Sequence, residues 1–61
     1  QVKAAIRRLP PRERDAMVLR YVQGLSDSEV ADALGIQAVS ARALLSRGRQ
    51  RLKAYLMEGR D

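Results

Sequence analysis

A proline pair, Pro10-Pro11, and two glycines, Gly24 and Gly35, cut this chain into segments too short for anything but a few compact helices. The residue before a proline avoids the α region, so a first helix over residues 2–8, with Val2, Ala5, Ile6 and Leu9 toward one side, must stop there. Pro11 itself suits the first turn of the next helix, where a missing N–H costs nothing. That second helix is expected to run to about Val22 and to close at Gly24 in a left-handed cap. Ser26-Asp27-Ser28-Glu29 then has the spacing of a capping box, opening a short third helix that carries Val30, Ala33 and Leu34 inward and ends at Gly35. Only Ile36 and Gln37 precede the last helix. No stretch alternates with period 2, and β-branched and aromatic residues do not cluster, so strands are not expected. The fold class predicted is all-α: a small four-helix domain with a helix-turn-helix and a long C-terminal recognition helix, one domain over residues 1–61.

A chain of 61 residues buries only about 60% of the surface its unfolded form exposes, so its stability is expected to be marginal. It has no cysteine and no histidine, which removes the disulfides and Cys/His zinc sites that staple many chains of this size. No metal site, cofactor or small-molecule substrate is expected. Nothing approaches the roughly 20 apolar residues of a membrane span or the apolar stretch of a signal peptide, so a cytoplasmic location without membrane contact is expected. Opening on Gln1 rather than methionine, the chain is expected to be a fragment of a longer protein.

The formal net charge of +5 is segregated along the sequence. Residues 1–22 hold six cations against Glu13 and Asp15, whereas residues 23–41 hold only the acids Asp27, Glu29 and Asp32. From 42 to 57 come Arg42, Arg47, Arg49, Arg51 and Lys53 with no acid among them. Basic side chains can simply solvate helix faces, but a basic stripe along one helix is also the electrostatic footprint of a polyanion partner.

At about 100° per residue, Ala41, Leu45, Gly48, Leu52 and Leu56 fall within one arc of the last helix, the arc expected to be buried. Gly48 on that inward face costs up to about 1 kcal/mol against alanine, which points to a close backbone approach by a neighbour. Facing outward are Val39, Ala43, Ser46, Arg47 and Gln50, flanked by Arg42 and Arg49. Small side chains interleaved with guanidinium groups let a helix sit deep in a groove while arginines reach guanine edges or phosphates. Two helices joined by a short glycine-containing turn form a helix-turn-helix, whose second helix enters the DNA major groove; an ordinary αα-hairpin has the same spacing.

The stretch LPPRERDAMVLRYVQGLSDSEVADALGI, followed by SRGRQRL, resembles the C-terminal promoter-binding (region 4) domain of bacterial sigma factors, most closely the extracytoplasmic-function group. The resemblance covers residues 9 to about 56, and LSRGRQRL is similar to the family's usual LSRARxRL. It implies a DNA-binding domain that recognises the −35 promoter element and helps recruit core RNA polymerase, whose flap meets a separate apolar surface, for transcription initiation. An anti-sigma factor is a further candidate partner. By resemblance, Arg42 and Arg47 match positions that reach bases or adjacent phosphates, with Val39, Ser40, Ala43, Ser46 and Gln50 beside them. Arg20 matches a phosphate-contacting arginine, and the N–H groups near Ser26 and Asp27 face phosphate. Where the family usually reads Val-Gly-Thr-Val-Lys-Ser-Arg, this chain has Ala38-Val39-Ser40-Ala41-Arg42-Ala43-Leu44, so a serine and an arginine are replaced by Ala43 and Leu44. Val39 and Ala43 can touch thymine methyl groups or extend an apolar patch for a protein.

Two other readings stay open on the residues. The DNA-binding domain of a LuxR-type response regulator also tends to open with Leu-x-Pro-Arg-Glu-Arg, but adds a short dimerising helix, whereas Leu45, Leu52 and Leu56 here continue one helix to about Met57. A protein-interaction module, bound mainly by an anti-sigma factor or other regulator, would use Val39, Ala43, Leu44 and Tyr55. No enzymatic activity and no catalytic residue are expected, since Asp27, Glu29 and Asp32 read as helix-start residues rather than an acid/base pair.

Overall fold

The computed structural model describes residues 2–58. Four α-helices occur in the order α1 (Val2–Arg7), α2 (Pro11–Met17), α3 (Asp27–Leu34) and α4 (Ala38–Glu58), with no strand among the described residues. The helix predicted to run to Val22 does so, but its last part, Val18–Val22, is wound as a π-helix. There Gln23 N–H donates to Val18 O at 3.0 Å, and Leu25 N–H reaches Leu19 O at 3.0 Å across Gly24, whose φ is +78°. The wider turn widens the closing bonds by one residue and leaves Tyr21 and Val22 at the surface.

Local chemistry fixes the other ends. Pro10 holds an extended φ/ψ before α2, Pro11 occupies its first turn, and Arg14 N–H donates to Pro10 O at 2.8 Å. Ser26 Oγ accepts from Glu29 N–H at 3.2 Å while Glu29 Oε1 accepts from Ser26 N–H at 2.8 Å, the reciprocal capping box expected at α3. At the other end of α3, Gly35 takes φ +68°; Gly35 N–H bonds Asp32 O and Ile36 N–H bonds Ala31 O, so the last carbonyls are satisfied within a three-residue turn, Gly35–Gln37.

The core is Ile6, Leu9, Ala16, Met17, Val30, Ala31, Ala41 and Leu45, with Leu25, Leu34, Ile36, Leu44, Leu52 and Tyr55 packed partly against it. α4, at 21 residues the longest element, is the spine on which the other helices lie. Its buried residues are Ala41, Leu45 and Gly48, with Leu52 and Leu56 half-buried, the arc read from the sequence. Gly48 is where α2 comes closest: a Cβ there would lie 2.7 Å from Met17 Cγ and 3.0 Å from Met17 Sδ.

Several inward assignments differ. α3 buries Val30 and Ala31, and Ala33 faces out, because α3 meets α4 along the row Val30, Ala31 and half-buried Leu34. Val2 is exposed: it stands at the rim of an open groove with Ile6, Met17, Tyr21, Arg49 and Leu52 rather than beneath another helix. Leu44 and Tyr55, expected at the surface, are half-buried against the core, since Leu44 lies one turn before Gly48 and Tyr55 two turns after it on the same side of α4. The Arg8 guanidinium covers the Tyr55 ring at 4.1 Å and pairs with Glu58 at 3.2 Å, tying the end of α1 to the end of α4.

Candidate nucleic-acid interface

The turn Gly35–Gln37 delivers the first three turns of α4 to the surface with one side unobstructed. On that side Val39 is 60% exposed, and Ser40, Arg42, Arg47 and Gln50 are exposed as well. Ala43 and Ser46 are half-buried between them and keep the middle of the stripe low. No carboxylate interrupts α4 before Glu58. The result is a shallow ridge of small side chains edged by guanidinium groups.

The arginines of this region are not equivalent. Arg42 is exposed, with no acidic partner among the described residues. Arg47 leans back toward α2, its Nε 3.7 Å from Glu13 Oε2, with 56% of its side chain still accessible. Arg51 goes further, its Nε 2.8 Å from Glu13 Oε1. On the opposite flank, Arg49 donates to Tyr21 Oη at 3.1 Å. Arg20 donates through Nε to Asp27 Oδ1 at 3.1 Å and lies over the Tyr21 ring, so its charge is partly neutralised by the acid that opens α3. Both partners are more than a third exposed, and pairs of that kind contribute about 0–1 kcal/mol, an interaction a phosphate can displace.

Ser26 has both its N–H and its hydroxyl engaged in the capping box. A phosphate approaching the start of α3 would therefore meet the first-turn N–H groups of Asp27 and Ser28, which have no acceptor within the helix. Donation from the Ser26 backbone N–H, and secondarily the Ser26 side chain, holds the Glu29 carboxyl below its ordinary pKa.

Sequence reasoning missed Glu13. It is 6% exposed, a buried charge at the α2–α4 crossing, on the same side of its helix as Ala16 and Met17. The spacing i, i+3, i+4 among Glu13, Ala16 and Met17 carried that signal, but the surrounding Arg-Glu-Arg context reads as a solvated run. Also unforeseen was where the apolar surface lies: Val2 and Tyr21 are exposed beside Arg49 and Leu52 of α4, Met57 is exposed further along α4, and Val22 is exposed on a separate groove with Lys3, Arg7 and Val18. Arg49, Leu52, Lys53, Leu56 and Met57 line an open groove. Among the described residues, no group of acidic side chains could hold a metal, and no helix is long and apolar enough to cross a membrane.

The family model described as Sigma-70, region 4 matches residues 1–52. RNA polymerase sigma factor SigZ of Bacillus subtilis is 41% identical over 58 residues, 95% of this chain and 32% of that protein. The ECF RNA polymerase sigma factor SigE of Mycolicibacterium smegmatis is 42% identical over 55 residues, 90% of this chain and 21% of its own length. The ECF RNA polymerase sigma factor SigG of Mycobacterium tuberculosis is 42% identical over 58 residues, 95% of this chain and 16% of its own. The chain thus spans about a third or less of the relatives it matches.

Proposed function

The chain belongs to the sigma-70 region 4 family, and on that premise we propose that it binds the −35 promoter element through the outward stripe of α4 and helps recruit core RNA polymerase for transcription initiation. The observation that carries this reading is the acid-free, exposed face of α4 next to the α3–α4 turn, where Val39, Arg42, Ala43, Ser46, Arg47 and Gln50 stand together. Arg42 and Arg47 reach base edges or the phosphates beside them, Ser40 and Gln50 supply shorter polar contacts, and Val39 and Ala43 meet thymine methyl groups. Arg20 exchanges Asp27 for a phosphate, and the first-turn N–H groups next to Ser26 add a neutral anchor. With Ala43 and Leu44 in place of polar residues, and Leu44 turned into the core, sequence choice falls on few side chains. Site selection from random DNA by the full-length parent with core polymerase tests this: enrichment of one short motif at −35 spacing supports it, and an unenriched pool refutes it.

A second surface fits a protein. The apolar groove lined by Val2, Ile6, Tyr21, Leu52, Leu56 and Met57, edged by Arg49 and Lys53, suits the polymerase flap, or an anti-sigma factor competing with it. This replaces the patch built on Leu44 and Tyr55, which the fold itself consumes. The α4 helix runs unbroken to Glu58, where a LuxR-type domain would begin a separate dimerising helix. Nothing in the reading calls for a catalytic group, and the family is one of initiation factors rather than enzymes.

A further inference from the structure

Glu13 is the acidic side chain that the fold buries among the described residues, and two arginines one helical turn apart on α4 converge on it. Neither meets it as an aligned hydrogen-bond donor: Arg51 Nε is 2.8 Å from Oε1 yet leaves that oxygen without a directed donor, and Arg47 Nε stands off at 3.7 Å from Oε2. The contacts are therefore charge pairing. A carboxylate taken out of water must keep a cation beside it, but one suffices. Arg51 is the closer of the two, and it lies further along α4 from the turn that faces the open side. Arg47 is the looser and more exposed one, at the edge of the outward stripe.

We propose that Glu13 is a positioning residue for nucleic-acid reading, keeping Arg51 as its permanent partner and lending Arg47 to bound DNA. The inference rests on the DNA-binding role of α4 proposed above. Arg47 is then held near its working position before DNA arrives, which spares part of the rotamer freedom that an unrestrained arginine loses on binding. Arg51, although it belongs to the basic run, takes no phosphate. Its retention limits attraction to arbitrary DNA and so widens the gap between specific and non-specific binding.

The test is fluorescence anisotropy of the chain on its selected site and on an unrelated duplex across a salt series, with E13Q, R51Q and the double variant. E13Q keeps the shape and removes the charge, so Arg51 becomes available to phosphate: the log–log salt slope should steepen by about one, and the specific-to-non-specific ratio should fall roughly five- to tenfold. R51Q obliges Glu13 to retain Arg47 and should flatten the slope by about one. The double variant should return to the wild-type slope, because Arg47 is free and Arg51 is absent. A purely structural Glu13 would lower the melting temperature without steepening the slope of the folded fraction, and a double variant as flat as R51Q would mean that Arg51 contacts DNA itself. Either result overturns the proposal. Should E13Q not fold, the Nε–Hε resonances decide: that of Arg47 shifts on adding DNA and that of Arg51 stays, and equal shifts refute the assignment. Salt-dependent binding by the wild type with an unchanged E13Q slope rejects only the positioning role; wild-type chain without salt-dependent binding rejects the DNA reading beneath it.

Discussion

Replacing Gly48 with alanine sets two known effects against each other at the tightest point of the fold. Alanine in a helix interior is favoured over glycine by about 1 kcal/mol. The added Cβ, however, would sit 2.7 Å from Met17 Cγ and 3.0 Å from Met17 Sδ, and Met17 is only 1% exposed, so the thioether cannot swing into solvent. Forcing a methyl group into a packed core costs about 1–3 kcal/mol. The net expectation for G48A is a loss of about 1 kcal/mol, which lowers the Tm of a chain this size by about 4–8 °C. Met17→Ala alone should cost about 2–5 kcal/mol. In that background the clash is gone and G48A should change sign, stabilising by up to about 1 kcal/mol, a coupling of about 1–3 kcal/mol between the two positions. Urea melts followed by circular dichroism at 222 nm, with a stabilising osmolyte present so that all four proteins start folded, measure the cycle. Stabilities that simply add, or a G48A chain that gains the full propensity term with Met17 in place, would refute the packing argument. The position also marks where LSRGRQRL departs from the family's usual LSRARxRL, and Met17 is the reason alanine fits poorly here.

Truncating Arg47 or Arg42 to alanine should cost about 1–3 kcal/mol on the selected site and relax sequence choice, whereas Arg20→Ala should weaken all duplexes alike and flatten the salt slope by about one; anisotropy on a promoter library separates the two patterns. Asp27→Asn removes the acid that neutralises Arg20 and should tighten binding to every sequence, and weaker binding would count against the exchange of Asp27 for phosphate. Ser26→Ala removes the hydroxyl that accepts from Glu29 N–H while keeping the backbone N–H that donates to the Glu29 carboxylate, and should cost about 0.5–2 kcal/mol in the same urea melts. Glu29 has a lowered pKa in the folded chain, so its contribution is fully present above the ordinary glutamate range and is lost as pH falls toward the lowered value. Glu29→Gln should accordingly flatten the acid limb of the stability–pH curve, and an unaltered limb would show that the cap carries no pH dependence.

What could be read from the sequence was mostly local. Pro10-Pro11, the Ser26–Glu29 box and Gly35 act on their own backbone within a turn or so, which is why the ends they set match the observed helices. Periodicity gave the buried arc of α4, and Gly48 on that arc gave the close approach, though not its partner Met17. What stayed hidden depends on how the helices cross. Glu13 looks like one more charge in Arg-Glu-Arg until α4 is laid over α2 and brings Arg47 and Arg51 against it. Leu44 and Tyr55 looked free because their rows on α4 are filled by neighbours that only the packing supplies. The π-turn at Val18–Val22 has no proline or glycine within it to announce it. Of the candidate site, the stripe itself was legible; the pairing of Arg20 with Asp27 and of Arg47 with Glu13 was not.

The central claim, that the outward stripe of α4 is the surface that meets DNA, is tested most directly by a backbone and arginine side-chain NMR titration of the chain with a short duplex at low salt. The account predicts shifts concentrated at Val39, Ser40, Arg42, Ala43, Ser46, Arg47 and Gln50, with a second group at Arg20 and the first turn of α3. Shifts gathered instead around Val2, Tyr21, Leu52 and Met57, with that stripe silent, would contradict it.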